Sequence, residues 1–165
     1  MLTETVGVVR RARSEDAVAC GEIAVLAWRR VFDAYREMLG PELFAHLHAG
    51  WENRKREQVV PFIEANPDDA IVTDVDGVIA GFLTFHVLES QCLGEIGNNA
   101  VHPDWQGKGI GARQCEHVLA VFRQIGLAAA TVQTGLDEGH GPARSMYVKA
   151  GFDHSVPSIR YYMRL

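Results

Sequence analysis

The apolar positions of this chain change rhythm several times, and each change marks an element. From Val6 to Arg13 the pair Val8-Val9 precedes alternating Arg11, Ala12 and Arg13, which predicts a first strand. Ser14 followed by Glu15 and Asp16 reads as an N-cap with an acidic first turn. Ala17 to Phe32 then runs at helical spacing, with Ile23, Ala27 and Val31 on one face and Trp28 and Phe32 beside it. Gly40-Pro41 breaks that helix. Leu43, Phe44, Leu47 and Trp51 resume helical spacing behind Pro41, so a second amphipathic helix is expected. Pro61 limits its continuation, making Val59 to Ala65 a kinked or separate short helix.

After the turn Asn66-Pro67-Asp68-Asp69 the period shifts from helical to alternating. Ala70 to Asp74 and Val78 to Leu88 read as strands joined by an Asp76-Gly77 hairpin. Leu93 to Val101 follows as a further strand after a short connection. Ile110, Cys115, Val118, Leu119, Phe122 and Ile125 define the buried face of a helix closed by Gly126. A strand at Ala129 to Thr134, a loop from Gly135 to Pro142, a short helix from Ala143 to Ala150 and a last strand at Ile159 to Leu165 complete the chain. This order predicts one α+β domain over residues 1–165, with a mixed, mostly antiparallel central sheet flanked by helices. The connections at Asp76-Gly77 and Glu89 to Cys92 are too short for parallel crossovers.

Composition narrows the functional classes. A net charge of −5 excludes a nucleic-acid binder that depends on a broad basic surface. An anionic ligand would therefore be held by local donors. No apolar run approaches the roughly 20 residues of a membrane span, and Met1 to Thr5 lack the basic-then-apolar order of a signal peptide. Cys20, Cys92 and Cys115 have no C-x-x-C spacing, so no metal site or disulfide framework is expected and the cytoplasm is the expected compartment.

The candidate chemistry begins where the strand ending at Val101 meets His102-Pro103-Asp104-Trp105-Gln106-Gly107-Lys108-Gly109-Ile110-Gly111-Ala112. Alternating glycines ahead of a helix allow backbone N–H groups to line a concave, phosphate-sized surface. A P-loop, G-x-x-x-x-G-K-S/T, is excluded because His102 fills its first glycine slot and Gly109 follows Lys108. Gly107-x-Gly109-x-x-Ala112 has dinucleotide-fingerprint spacing. However, five residues separate it from the strand, and no acidic residue stands near Ala128-Ala129-Ala130 to hold a ribose.

Val101 to Gly111 resembles the acyl-CoA signature V-x-P-x-x-Q/R-G-x-G-x-G/A of the GNAT superfamily of N-acetyltransferases. Ala143-Arg144-Ser145-Met146-Tyr147-Val148-Lys149-Ala150-Gly151-Phe152 resembles the second motif of that superfamily, N-x-x-A-x-x-(L/F)-Y-x-K-x-G-F. The two occur in the expected order, separated by a helix and a strand. The resemblance implies the GNAT fold and acetyl-CoA as co-substrate. Backbone groups of Gln106, Gly107, Lys108, Gly109, Ile110, Gly111 and Ala112 would hold its pyrophosphate, with Lys108 and Arg113 as available cations. Asn99, Ala100 and Val101 would run beside its pantetheine arm. The slot usually held by asparagine in the second motif is His140, which is the departure from the pattern.

The implied reaction is acetyl transfer to a primary amine by direct attack in a ternary complex. Glu95 is the candidate general base, acting directly or through water, and strand parity would put it on the face of Gly97, Asn99 and Val101 unless a bulge intervenes. Tyr147 is the candidate general acid for the departing thiolate. Trp28, Phe32 and Tyr35 border the expected acceptor site. His46 and His48, two residues apart on a helix, point to different faces and make no metal pair, and Arg54-Lys55-Arg56 reads as a solvated helix end. The acceptor would be a small-molecule or peptide amine; neither nucleic acid nor membrane is an expected partner. A homodimer follows the habit of the family, and the competing reading is an acyl-CoA-binding sensor without turnover.

Overall fold

The computed structural model describes residues 6–165; Met1 to Thr5, the segment that lacks the order of a signal peptide, lie outside the described residues. Five strands form one sheet in chain order: β1 (Val8–Arg11), β2 (Ala70–Val75), β3 (Val78–Leu88), β4 (Leu93–Val101) and β5 (Ala129–Val132). The first three pairings are antiparallel, and β4 pairs with β5 in parallel across a helical crossover. This is the expected mixed, mostly antiparallel sheet. At the hairpin between β2 and β3, Asp76 and Gly77 both take positive φ, as a two-residue turn of this hand requires.

Helices cover both faces. On one face lie α1 (Ala17–Leu39), α2 (Pro41–His48) and α3 (Trp51–Ala65); on the other lie α4 (Ile110–Gln124) and α5 (Gly141–Lys149). Cys20, Ile23 and Ala24 of α1 meet Val59 and Ile63 of α3 above Val72 and Phe82 of the sheet. The α1–α3 contact is close because Gly21 faces it: a Cβ there would stand 2.6 Å from Val60 Cγ2. Beneath the sheet, Cys115, Val118 and Phe122 of α4 pack on Ile71, Leu83, Phe85 and Ile96.

Several boundaries differ from the sequence reading for identifiable reasons. Ser14–Asp16 form a separate 3₁₀ turn, and it is Asp16, not Ser14, that accepts a terminal N–H, from Arg13 at 2.8 Å. α1 continues past Phe32 to Leu39 because nothing before Gly40 interrupts it. The second helix ends at His48, and Gly50 (φ +67°) turns the chain so that Trp51 opens α3. α3 then runs through Pro61 without a break. Residues 133 and 134 fall outside β5, and α5 begins at Gly141. The strand expected at Ile159 to Leu165 does not form; residues 153–165 lie outside helix and sheet, and the ion pair of Arg164 with Glu42 brings the tail toward α2.

Candidate active site

Between β4 and α4 the chain makes a stiff, open turn. Pro103–Trp105 form a 3₁₀ turn, His102 Nδ1 accepts from the Asp104 N–H at 3.2 Å, and Gln106 Nε2 donates to the Val101 carbonyl at 3.0 Å. Gly107 (φ +77°) and Gly109 (φ +76°) then occupy the left-handed region. A Cβ at either would meet nothing within 4 Å, so the backbone twist, not crowding, calls for glycine there. The Arg113 N–H makes the first helical bond, to the Gly109 carbonyl at 3.1 Å. The N–H groups of Ile110, Gly111 and Ala112 therefore have no helical acceptor and add the positive end of the α4 dipole to the glycine rim. This cradle has the donors and the room that a pyrophosphate needs.

The two cations expected beside it differ. Lys108 Nζ sits 4.5 Å from the centroid of the Trp105 ring and forms no ion pair among the described residues. Arg113, by contrast, is already engaged: it donates to the Val6 carbonyl at 2.6 Å and to the Gly7 carbonyl at 2.9 Å, tying the entrance of β1 to α4.

One residue breaks the alternation of β4. Its register with β3 shifts from Leu83↔Asn99 to Phe85↔Ile96, leaving Gly97 and Asn98 as a bulge opposite Thr84. The Asn98 N–H donates to Thr84 Oγ1 at 2.9 Å. Ile96 consequently packs toward α4 while Ala100 packs toward α1 and α3, although both numbers are even. Glu95 therefore shares its face with Asn98 and Ala100 and not, as uninterrupted parity implied, with Asn99 and Val101. It is half-buried and pairs across the strands with His86, which stacks edge-on against Phe62 of α3.

Asn99 belongs to the α4 side. Its Nδ2 donates to the Gly111 carbonyl at 3.1 Å, and its Oδ1 accepts from Gln114 Nε2 at 2.8 Å. Gln114 is fully buried and also joins Thr73 of β2 and the Phe82 carbonyl of β3, so one amide locks the start of α4 to three strands. Tyr147 of α5 is buried on the same side, edge-on to Phe152. Burial pushes its phenol pKa up, the Cys115 thiol adds to that, and the Asn99 side chain opposes it. The group stays protonated through neutral pH.

Pairing of β4 with β5 ends at Ile96↔Val132, so residues 97–101 have no partner on that side and the sheet forks. On the α1 and α3 side of the sheet lies a pocket of about 300 Å³ that includes Trp28, Phe32, Tyr35, Trp51, Lys55 and His140 in its walls. Phe32 stacks on Trp51 with centroids 4.1 Å apart, and Tyr35 meets Phe32 edge-on. The structure thus brings the three aromatic residues read as acceptor-site candidates into one wall. His140 stands with them; its Nδ1 lies 2.6 Å from Asp137 Oδ2, and its N–H is bonded to the same carboxylate.

A family model describing the acetyltransferase (GNAT) family matches residues 28–152. The chain belongs to that family. Among solved structures, this GNAT acetyltransferase resembles the PaiA N-acetyltransferase of Thermoplasma acidophilum in complex with coenzyme A, at 16% identity and a TM-score of 0.71 over 92% of each chain. It also resembles a GNAT family acetyltransferase of Brucella melitensis in complex with acetyl-CoA, at 18% identity and a TM-score of 0.58 over 89% of this chain and 82% of that one. An aminoglycoside acetyltransferase from an uncultured soil metagenomic sample, in complex with sisomicin, has 16% identity and a TM-score of 0.55 over 96% and 95%. At these identities the likeness is one of fold. No curated protein matches the sequence.

Two residues of this GNAT domain carry more than the sequence suggested. Lys55 leaves its basic triplet and turns inward, and Gln114 holds Asn99. The signal for Lys55 was its place in the stripe Trp51, Lys55, Val59, where both neighbours four residues away are buried. Gln114 had no local signal, because its partners lie 14 to 41 residues away. Among the described residues no helix is long and apolar enough to cross a membrane, and no cluster of three metal-ligating side chains occurs.

Proposed function

We propose that this protein transfers the acetyl group of acetyl-CoA to a primary amine bound in the pocket walled by α1 and α3. The observation that carries this reading is the fork between β4 and β5, which opens from the sheet face bearing Asn99 and Tyr147 to the face bearing Glu95 and Asn98. The glycine rim from Gln106 to Ala112 takes the pyrophosphate, and the edge of β4 at Asn99, Ala100 and Val101, left unpaired by β5, runs along the pantetheine as an added strand would.

The chemistry then divides among this chain's own groups. An alkylammonium has a pKa of about 10.4, so at neutral pH the amine must lose a proton before it can attack. Glu95 accepts that proton, directly or through a water. The neutral amine attacks the thioester carbon while main-chain N–H groups near Asn99 to Val101 stabilise the oxyanion. As the C–S bond breaks, Tyr147 gives its proton to the sulfur, and the second proton shed by the new amide nitrogen restores the phenol through solvent. Its burial in apolar surroundings keeps Tyr147 neutral until the C–S bond breaks. Cys20 and Cys115 take no part: burial pushes their thiols up to about 12 and about 11, which leaves no thiolate at neutral pH. The unpaired thiols suit a reducing cytoplasm.

The test is release of coenzyme A thiol in the presence of a panel of primary amines, with product masses recorded. Amine-dependent release with an acetylated product supports transfer. Tight binding of acetyl-CoA with no amine-dependent release overturns it in favour of a sensor.

A further inference from the structure

The pocket walled by α1 and α3 has a charge pattern that the transfer reaction does not require. Among its described lining residues none is acidic, whereas Lys55, Arg54, His48 and His140 all belong to the wall. Lys55 is the informative member. Its ammonium sits 3.6 Å from the centroid of the Trp28 ring and donates to Asn98 Oδ1 at 2.8 Å and Gln58 Oε1 at 2.9 Å. Neutral amides and a π face are its partners, and no carboxylate forms an ion pair with it among the described residues. Burial pushes its pKa down to about 8.

A part-buried cation without a counter-ion is costly to fold around, and the cost is offset when an anion completes the pair. Asp137, which reaches this wall through His140, is spent on that residue through both the ring and the N–H. The rest of the wall is largely aromatic, with Trp28, Phe32, Tyr35 and Trp51 in it. An anion seated on Lys55 would leave an attached amine close to the β4 face that carries Asn98 and Glu95, since Asn98 is itself a partner of Lys55.

Resting on the acetyl-transfer reading above, we infer that the acceptor is an amine that also carries a carboxylate, with an aromatic side chain: an amino acid of the phenylalanine or tryptophan type. Lys55 binds the carboxylate, the stacked rings bind the side chain, and Glu95 receives the amine. Polycationic amines are disfavoured, because a second positive charge would face Lys55 and Arg54 with no carboxylate to receive it.

The experiment compares phenylalanine and tryptophan with phenethylamine and tryptamine, and with spermidine, in the wild type and in Lys55→Met. Thiol release gives turnover, and tryptophan-fluorescence titration with N-acetylphenylalanine and phenylacetate gives binding without turnover. The expected result is a kcat/KM for the amino acids at least about tenfold above that for their decarboxylated counterparts. Lys55→Met should abolish that preference through KM and leave the KM for acetyl-CoA unchanged. Preference for phenethylamine, tryptamine or spermidine, or a preference insensitive to Lys55→Met, overturns the inference. If the two carboxylates bind in a Lys55-dependent way but no amine is acetylated, the transfer reading fails and the anion site stands. If neither binds nor turns over, the anion site fails.

Discussion

In the proposed mechanism two side chains bear the proton transfers, and each has a separable signature. Replacing Tyr147 by Phe removes one proton and little volume, so kcat should fall by about 10²-fold or more while the affinity for coenzyme A, set by main-chain donors, stays near that of wild type. Equilibrium titration with coenzyme A beside steady-state kinetics checks the split, and an unchanged kcat defeats the assignment. Glu95→Gln should slow the reaction at neutral pH and recover as pH rises toward the amine pKa of about 10.4, where free amine no longer needs a base. A pH–rate profile parallel to wild type would remove Glu95 from the mechanism. The sequence offers both as candidates, Tyr147 by its slot in the second motif and Glu95 by its place six residues ahead of Val101. What the sequence could not reveal was the face on which Glu95 stands, because the bulge that sets Gly97 and Asn98 against the single Thr84 is fixed by a partner on another strand.

That bulge is the element on which the site turns. Thr84 holds it, accepting from Asn98 through both the main-chain N–H and Nδ2, and Thr84 is itself buried. Thr84→Val keeps the shape but removes the acceptor and leaves a buried N–H without a partner. A loss of about 1–3 kcal/mol in urea denaturation is expected, with a fall in kcat larger than any change in coenzyme A affinity. Equal losses in both would show that the bulge serves stability alone. The elements themselves were largely readable: β1 to β4, the hairpin and α4 follow from alternation, helical spacing and turn residues. The misread stretches were those decided by partners distant in sequence. Trp51 has the right spacing to extend α2, yet Gly50 turns the chain. Ile159 to Leu165 alternate like a strand, yet the alternation of a segment does not supply an edge to pair with.

Across the whole molecule, one ionic junction fastens the first strand to the first helix. Arg10 reaches Asp16 at 2.8 Å and Asp74 at 3.1 Å, and Asp16 is 6% exposed. Burial alone would raise the Asp16 carboxyl, but the hydrogen bonds from Arg10 and the Arg13 N–H outweigh it and hold it below its ordinary 3.8. A carboxyl depressed in the folded state stabilises the fold above its unfolded value, and that contribution disappears as pH falls through the folded one. Stability measured by denaturation should therefore be flat near neutrality and decline below about pH 4. Asp16→Asn should be less stable at pH 7 by about 3 kcal/mol and show a shallower decline; an unchanged slope would assign acid sensitivity elsewhere. The sheet itself has a different kind of consequence. It stands as a partition between the glycine rim, with Asn99 and Tyr147, and the aromatic pocket, with Lys55. Residues on the pocket side can be exchanged without touching a single N–H of the glycine rim. Under selection, such a molecule can try new acceptors while its hold on acetyl-CoA is inherited intact, and a lineage built this way diversifies on one face only.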